Sequence, residues 1–293
     1  MSWCIAADSS CNFLSFTPTS PDCIYGVAPL SILVDGVEYV DSDDLSVQEL
    51  IAAFTSPHAM STSSACPSPG DWAKLMRSAD NVICVTIGSK TSGSYDCALT
   101  AKQIVMDEYE SLHPDQEGGK RIHVIDSKGA GAQLEVLIHR LDSYIAQGLS
   151  FDEIVSNMEA FIETTHVYYS LSSFDNLVKA GRLPRLVGTL ASKLNIRLLG
   201  STAADGALRA VGPTRGEKKT FKKIIDCLVH DNFGGGVVYI DHVNNEPTAL
   251  LLKQEIVNIW PEAEIHICAC RGLCSYYAEV SGIIIAFESE TQR

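Results

Sequence analysis

A chain of 293 residues, 46% hydrophobic and 20% charged, can bury a sizeable core, and its length suggests two domains. Its net charge of −14 argues against a nucleic-acid partner, which needs Lys and Arg in excess, and against a basic lipid-docking face. No stretch approaches the roughly 18 consecutive apolar residues of a membrane span, and the opening MSWCIAADSS lacks the basic and apolar regions of a secretion signal, so a cytoplasmic protein is expected.

Trp3–Ala7 is a short apolar strand that stops at Asp8-Ser9-Ser10. Residues 28–40, APLSILVDGVEYV, are two strands joined by the hairpin signal Asp35-Gly36. Ser46 and Glu49 have capping-box spacing and open a helix over 46–54. The stretch 55–72 is small, polar and proline-punctuated, which predicts a loop able to serve as a lid. Ser68 as N-cap with Pro69 at the first helical position starts the helix over 69–78.

Strand 81–87 runs into Gly88-Ser89-Lys90-Thr91-Ser92-Gly93-Ser94, and a helix follows to about 109. Strand 121–126 ends at Asp126-Ser127, with helices to about 146 and over 151–165 behind it. Repeated strand–loop–helix order predicts a parallel sheet covered on its faces, with ligands at the carboxyl ends of the strands. The rest reads as a strand at 168–171, short helices ending before Gly181 and over 185–193, and a hairpin turning at Asp205-Gly206. Helices at 217–230, 247–259 and 273–280 then alternate with strands at 237–242, 264–269 and 282–288. The expected fold is α/β in two domains. Residues 1–165 form a three-layer α/β/α parallel-sheet domain, and 166–293 a two-layer domain with a mixed sheet.

The ten cysteines fall mostly within apolar runs, which predicts reduced, buried small hydrophobes. Cys268, Cys270 and Cys274 have C-x-C-x3-C spacing without paired C-x2-C or an obvious fourth ligand, so no metal and no cofactor are expected.

The 88–94 loop has Gly88-x4-Gly93 but lacks the Lys that a P-loop needs after its second glycine. Gly129 and Gly131 are followed by Leu134 where a dinucleotide fingerprint has its third glycine. What remains at 88–94 is a hydroxyl-rich loop opening a helix. Helix N-termini favour anions, and serine hydroxyls add donors, which suits a carboxylate or phosphate. A serine N-cap with glycine turns explains Ser92 or Ser94 equally well. A third reading takes Ser89 as the nucleophile of an acyl-ester hydrolase, which requires a histidine in hydrogen-bond reach.

Several segments together resemble the DegV family of bacterial fatty-acid-binding proteins. Ala7-Asp8-Ser9-Ser10 is similar to its opening Thr-Asp-Ser-Thr/Ser, and Ile87–Tyr95 to its Ser-Ser-x-x-Ser-Gly-Thr/Ser-Tyr motif. Cys66–Trp72 resembles Gln-Pro-Ser-x-Gly-Glu-Phe/Trp, Val124–Ser127 the second Asp-Ser strand end, and Leu177–Leu183 the Leu-x-x-Gly-Gly-Arg-Ile segment. The resemblance implies one long-chain fatty acid in a buried apolar tunnel beneath the 88–93 loop. It implies a carboxylate held by Ser64 and Ser89, with Ser63, Gly88 and Ser92 around them. It further implies a non-catalytic role, presenting the acid to a separate fatty acid kinase. Three departures stand out: Gly88 replaces a serine, Ser64-Ala65-Cys66 replaces Thr-Ser-Gln, and Tyr276–Gly282 replaces Gly-x-His-x-Gly-Pro-Gly, which sets Ala278 at the histidine.

Overall fold

The computed structural model describes residues 1–13, 15–114, 119–183 and 196–290. The helix expected over 185–193 lies outside the described residues.

The first sheet is four parallel strands, β1 (Trp3–Asp8), β2 (Cys23–Ala28), β6 (Asn81–Thr86) and β7 (Arg121–Asp126), in the order β2-β1-β6-β7. Alternate residues of each strand face opposite sides. Cys4, Ala6, Val82 and Cys84 pack with helices α2 (Pro69–Met76) and α3 (Ser94–Leu112). Ile5, Ala7, Ile83 and Val85 meet the other face, where α4 (Ala132–Ala146) and α5 (Phe151–Ile162) lie. This makes three layers. Helix α2 starts as the caps predict: Ser68 accepts from the Asp71 N–H at 3.2 Å, and Asp71 returns the bond to the Ser68 N–H at 2.9 Å.

The second sheet has six strands: β8 (Thr165–Leu171), β9 (Ile196–Thr202), β10 (Leu208–Arg215), β11 (Val237–His242), β12 (Glu264–Ala269) and β13 (Ile283–Glu288). Their order is β10-β9-β8-β13-β11-β12. Only the β11–β12 pair is parallel; the sheet is mixed. Its own helices α7 (Glu217–His230) and α8 (Glu246–Ile259) cover one face through Phe221, Ile224, Leu252 and Ile256. Helix α4 covers the other, so it lies between the two sheets. Ten of its fifteen residues are buried, among them Gln133, Glu135 and Asp142. Gly131, at φ 60°, opens it; a Cβ there would sit 3.1 Å from both Asp241 Oδ2 and Ile284 Cδ1.

Two strands depart from expectation. β2 is absent from the sequence reading. So is β5 (Thr62–Ala65), which lies within the predicted 55–72 loop and joins β3 (Ser31–Val34) and β4 (Val37–Val40) in a small antiparallel sheet, β4-β3-β5. That sheet packs against α1 (Val47–Phe54) and α9 (Gly272–Ala278) through Ile32, Leu50 and Tyr276. The remaining described helix is α6 (Asp175–Lys179). All ten cysteines are free, and most are buried. No described helix is long and apolar enough to cross a membrane.

Candidate functional site

The carboxyl ends of β1, β6 and β7 meet at one edge, where Asp8 ties the first two together. Its carboxylate accepts from Ser10 Oγ (2.5 Å), the Ile87 N–H (2.9 Å) and Ser94 Oγ (2.6 Å). Burial pushes the Asp8 carboxyl up, and these donors pull it back down. The bonds join the end of β1, the end of β6 and the first residue of α3. Ser94 is thus committed to Asp8. Gly93 is the N-cap of α3 and has no side chain to cap it; the Ser94 N–H donates to Ser92 Oγ at 3.3 Å, which leaves the later first-turn N–H donors for an anion.

Beside this edge lies a cavity of about 350 Å³, between the parallel sheet, the mixed sheet and β5. Its wall is mostly apolar, with Leu30, Ile87, Val167, Leu171, Leu273 and Ile284 among its residues. Polar groups come from Ser64 and Tyr277, from Thr91, Ser92 and Gly93, and from Arg182. Small-ligand pockets are built this way, apolar with a few placed polar groups, in volumes of roughly 300–1,000 Å³.

Of the five predicted ligand residues, Ser64 and Ser92 line this cavity, and Ser63, Gly88 and Ser89 do not. Each placement has a local cause. β5 alternates faces, so Ser63 is exposed while half-buried Ser64 turns inward. Ser64 Oγ lies 2.8 Å from the Tyr277 hydroxyl, and two residues earlier Thr62 Oγ1 lies 2.8 Å from that of Tyr276. Gly88 sits where two strand-end loops touch. Its N–H donates to the Gly129 carbonyl at 2.8 Å, and a Cβ would come within 3.0 Å of the Gly129 nitrogen. Its smallness permits this close backbone contact. Ser89 is exposed, and both its donors are spent on Asp126: the N–H at 3.0 Å and the hydroxyl at 2.5 Å. The loop then makes a turn, with the Thr91 and Ser92 N–H groups on the Gly88 carbonyl at 2.9 and 3.2 Å, and this carries Ser92 to the cavity.

Two cavity residues escaped the sequence reading. Arg182, at the end of the Leu177–Leu183 segment, donates from Nε to the Thr91 carbonyl at 2.6 Å and sets a cation beside the hydroxyls. Its signal was an arginine following glycine in a quoted motif. The other is Tyr277. Glu279 (φ 56°) and Ser281 (φ 69°) adopt left-handed backbone on either side of Val280. Glycine ordinarily takes such φ values. Tyr277 lines the cavity one residue before Ala278, with its hydroxyl on Ser64. Ala278 is buried and contributes only apolar wall. No histidine pairs with Ser64, Ser89 or Ser92 among the described residues, so the base a serine nucleophile needs is not there.

Comparison with known proteins agrees with this fold. A DegV protein of Streptococcus pneumoniae strain R6, named only as a DegV domain-containing protein, is 36% identical over 288 residues, covering 98% of this chain and 99% of that one. The crystal structure of the S. pneumoniae Fatty Acid Kinase B3 protein loaded with linoleic acid superposes with a TM-score of 0.92 at 36% identity, covering 99% of this chain and all of that one. A DegV family protein from Eubacterium eligens loaded with heptadecanoic acid follows at 0.90 and 29%, with the same coverage. The family profile described as an uncharacterised protein of the DegV family matches residues 2–289, and the chain belongs to that family.

Proposed function

We propose that this protein binds a long-chain fatty acid and presents it to a separate fatty acid kinase, without itself catalysing a reaction. The observation that carries the reading is the apolar cavity with Ser64, Ser92, Tyr277 and Arg182 in its wall, in a chain so similar to a linoleic-acid-loaded protein. Tail burial dominates affinity. At ~0.8 kcal/mol per CH₂, about 15 methylenes supply on the order of 10 kcal/mol before association costs. A charge-assisted hydrogen bond adds about 1.5–3 kcal/mol and orients the acid.

The carboxylate takes its bonds from Ser92 Oγ, from N–H groups at the start of α3 and from the Ser64–Tyr277 hydroxyl pair, with Arg182 as the nearby cation. Ser89 supports the loop through Asp126 instead of meeting the acid. The domain division falls at residue 165, where the last helix of the first unit gives way to β8. Lipid extracted from purified protein and analysed by mass spectrometry is expected to contain long-chain acyl species. Their absence, even after incubation with fatty acid, overturns the reading.

A further inference from the structure

Helix α4 faces β11 and β12 with a second group of polar side chains, apart from the head-group residues. Asp241 and Cys268 are register partners on these neighbouring strands, and Glu135 of α4 meets them. Glu135 and Asp241 are fully buried and Cys268 half-buried. One carboxylate oxygen of each, together with Cys268 Sγ, lie within 4.8 Å of one another. Asn12 holds the carboxylates from behind: its N–H donates to Glu135 Oε1 at 3.0 Å and its amide Nδ2 to Asp241 Oδ2 at 2.6 Å. The Arg271 N–H donates to Asn12 Oδ1 at 2.7 Å and fixes the orientation of that amide. The other two oxygens, Glu135 Oε2 and Asp241 Oδ1, are buried and accept no hydrogen bond from outside the group, while Glu135 lies in hydrogen-bond reach of both Asp241 and Cys268.

Two carboxyl groups this close and this deeply buried cannot both stay ionised, so in the chain by itself one proton lies between them. Neither forms an ion pair with a basic side chain among the described residues. A divalent cation in place of that proton draws both carboxylates and the Cys268 sulfur to one centre. The thiol narrows its identity, because sulfur with two carboxylate oxygens suits a cation of the zinc class better than calcium or magnesium.

We propose that Glu135, Asp241 and Cys268 form a seat for one divalent cation of the zinc class, which fastens α4 to the edge of the mixed sheet. A cation roughly 2.0–2.3 Å from each ligand requires a modest inward shift of side chains already facing one another. Asn12 is the outer layer that orients the ligands. Binding displaces the Cys268 thiol proton, and any proton shared by the carboxyls, to solvent as the metal–ligand bonds form. A neighbouring trio, His139, Glu264 and His266, lies one helical turn and two strand residues away, and it is the competing seat.

The full-length protein, reduced and stripped with a chelator, is titrated with Co²⁺ and then Zn²⁺. The expected result is one tight equivalent, a thiolate-to-cobalt charge-transfer band, and a raised Tm with zinc. Cys268→Ser should abolish the band, and Glu135→Gln should weaken binding by about tenfold or more, both with an unchanged circular dichroism spectrum. Three results overturn the proposal. One is the absence of the band. Another is zinc affinity unaltered by both variants. The third is binding lost on His139→Ala or His266→Ala but retained in the inner variants.

Discussion

Strand β5 and the 88–94 loop both carry closely spaced serines beside the same cavity, yet they choose the inward serine by different rules. In β5 the choice is binary. A strand sends successive side chains to opposite faces, so Ser64 meets Tyr277 and Ser63 meets solvent. In the loop the choice follows from a tight turn onto the Gly88 carbonyl, which passes Ser92 to the cavity and leaves Ser89 on Asp126. Composition finds the neighbourhood of a site; backbone geometry decides which hydroxyl enters it.

The largest effect is expected where the loop is anchored. Asp8→Ala leaves Ser10, Ile87 and Ser94 without their buried acceptor and should lower stability by about 3 kcal/mol in urea unfolding. Next is Ser92→Ala, expected to weaken fatty acid binding by roughly 10- to 100-fold, whereas Ser89→Ala should stay within about twofold. A larger loss from Ser89 than from Ser92 would reverse the assignment within the loop. In β5, Ser64→Ala and Tyr277→Phe should each cost about 1 kcal/mol of binding, and their double mutant less than the sum, because they share one hydrogen bond. Ser63→Ala is the matched control and should change nothing measurable. Controls aside, the smallest effect is Arg182→Gln. The guanidinium is exposed, so a loss below about 1 kcal/mol that fades with added salt is expected in titrations at two ionic strengths.

The same contrast explains what could be read in advance. The parallel-sheet half, β2 apart, was legible because its signals are local: apolar runs ending in Asp-Ser, and helices announced by Ser46 with Glu49 and by Ser68-Pro69. β5 was not, because Thr-Ser-Ser-Ala has neither apolar alternation nor β-branched density, and its strand character comes from pairing with Ile32 and Leu33. Ser94 looked like a cap, but it is bonded to a residue 86 positions away that no local pattern reveals. Tyr277 carried no local sign, because only the tertiary fold brings its hydroxyl to Ser64, 213 positions away. Arg182 was in view, but nothing short of tertiary contact linked it to Thr91.

Helix α4 belongs by chain order to the parallel-sheet half, yet it packs on both sheets and fills the core between them. The two halves therefore share a keel. A gene truncated to begin at β8 would express a sheet with one flank bare and greasy, prone to clump, while co-expression with a piece ending after α5 should restore solubility. Ligand release has the same constraint, since any motion that parts the sheets must first lift this helix from one of them.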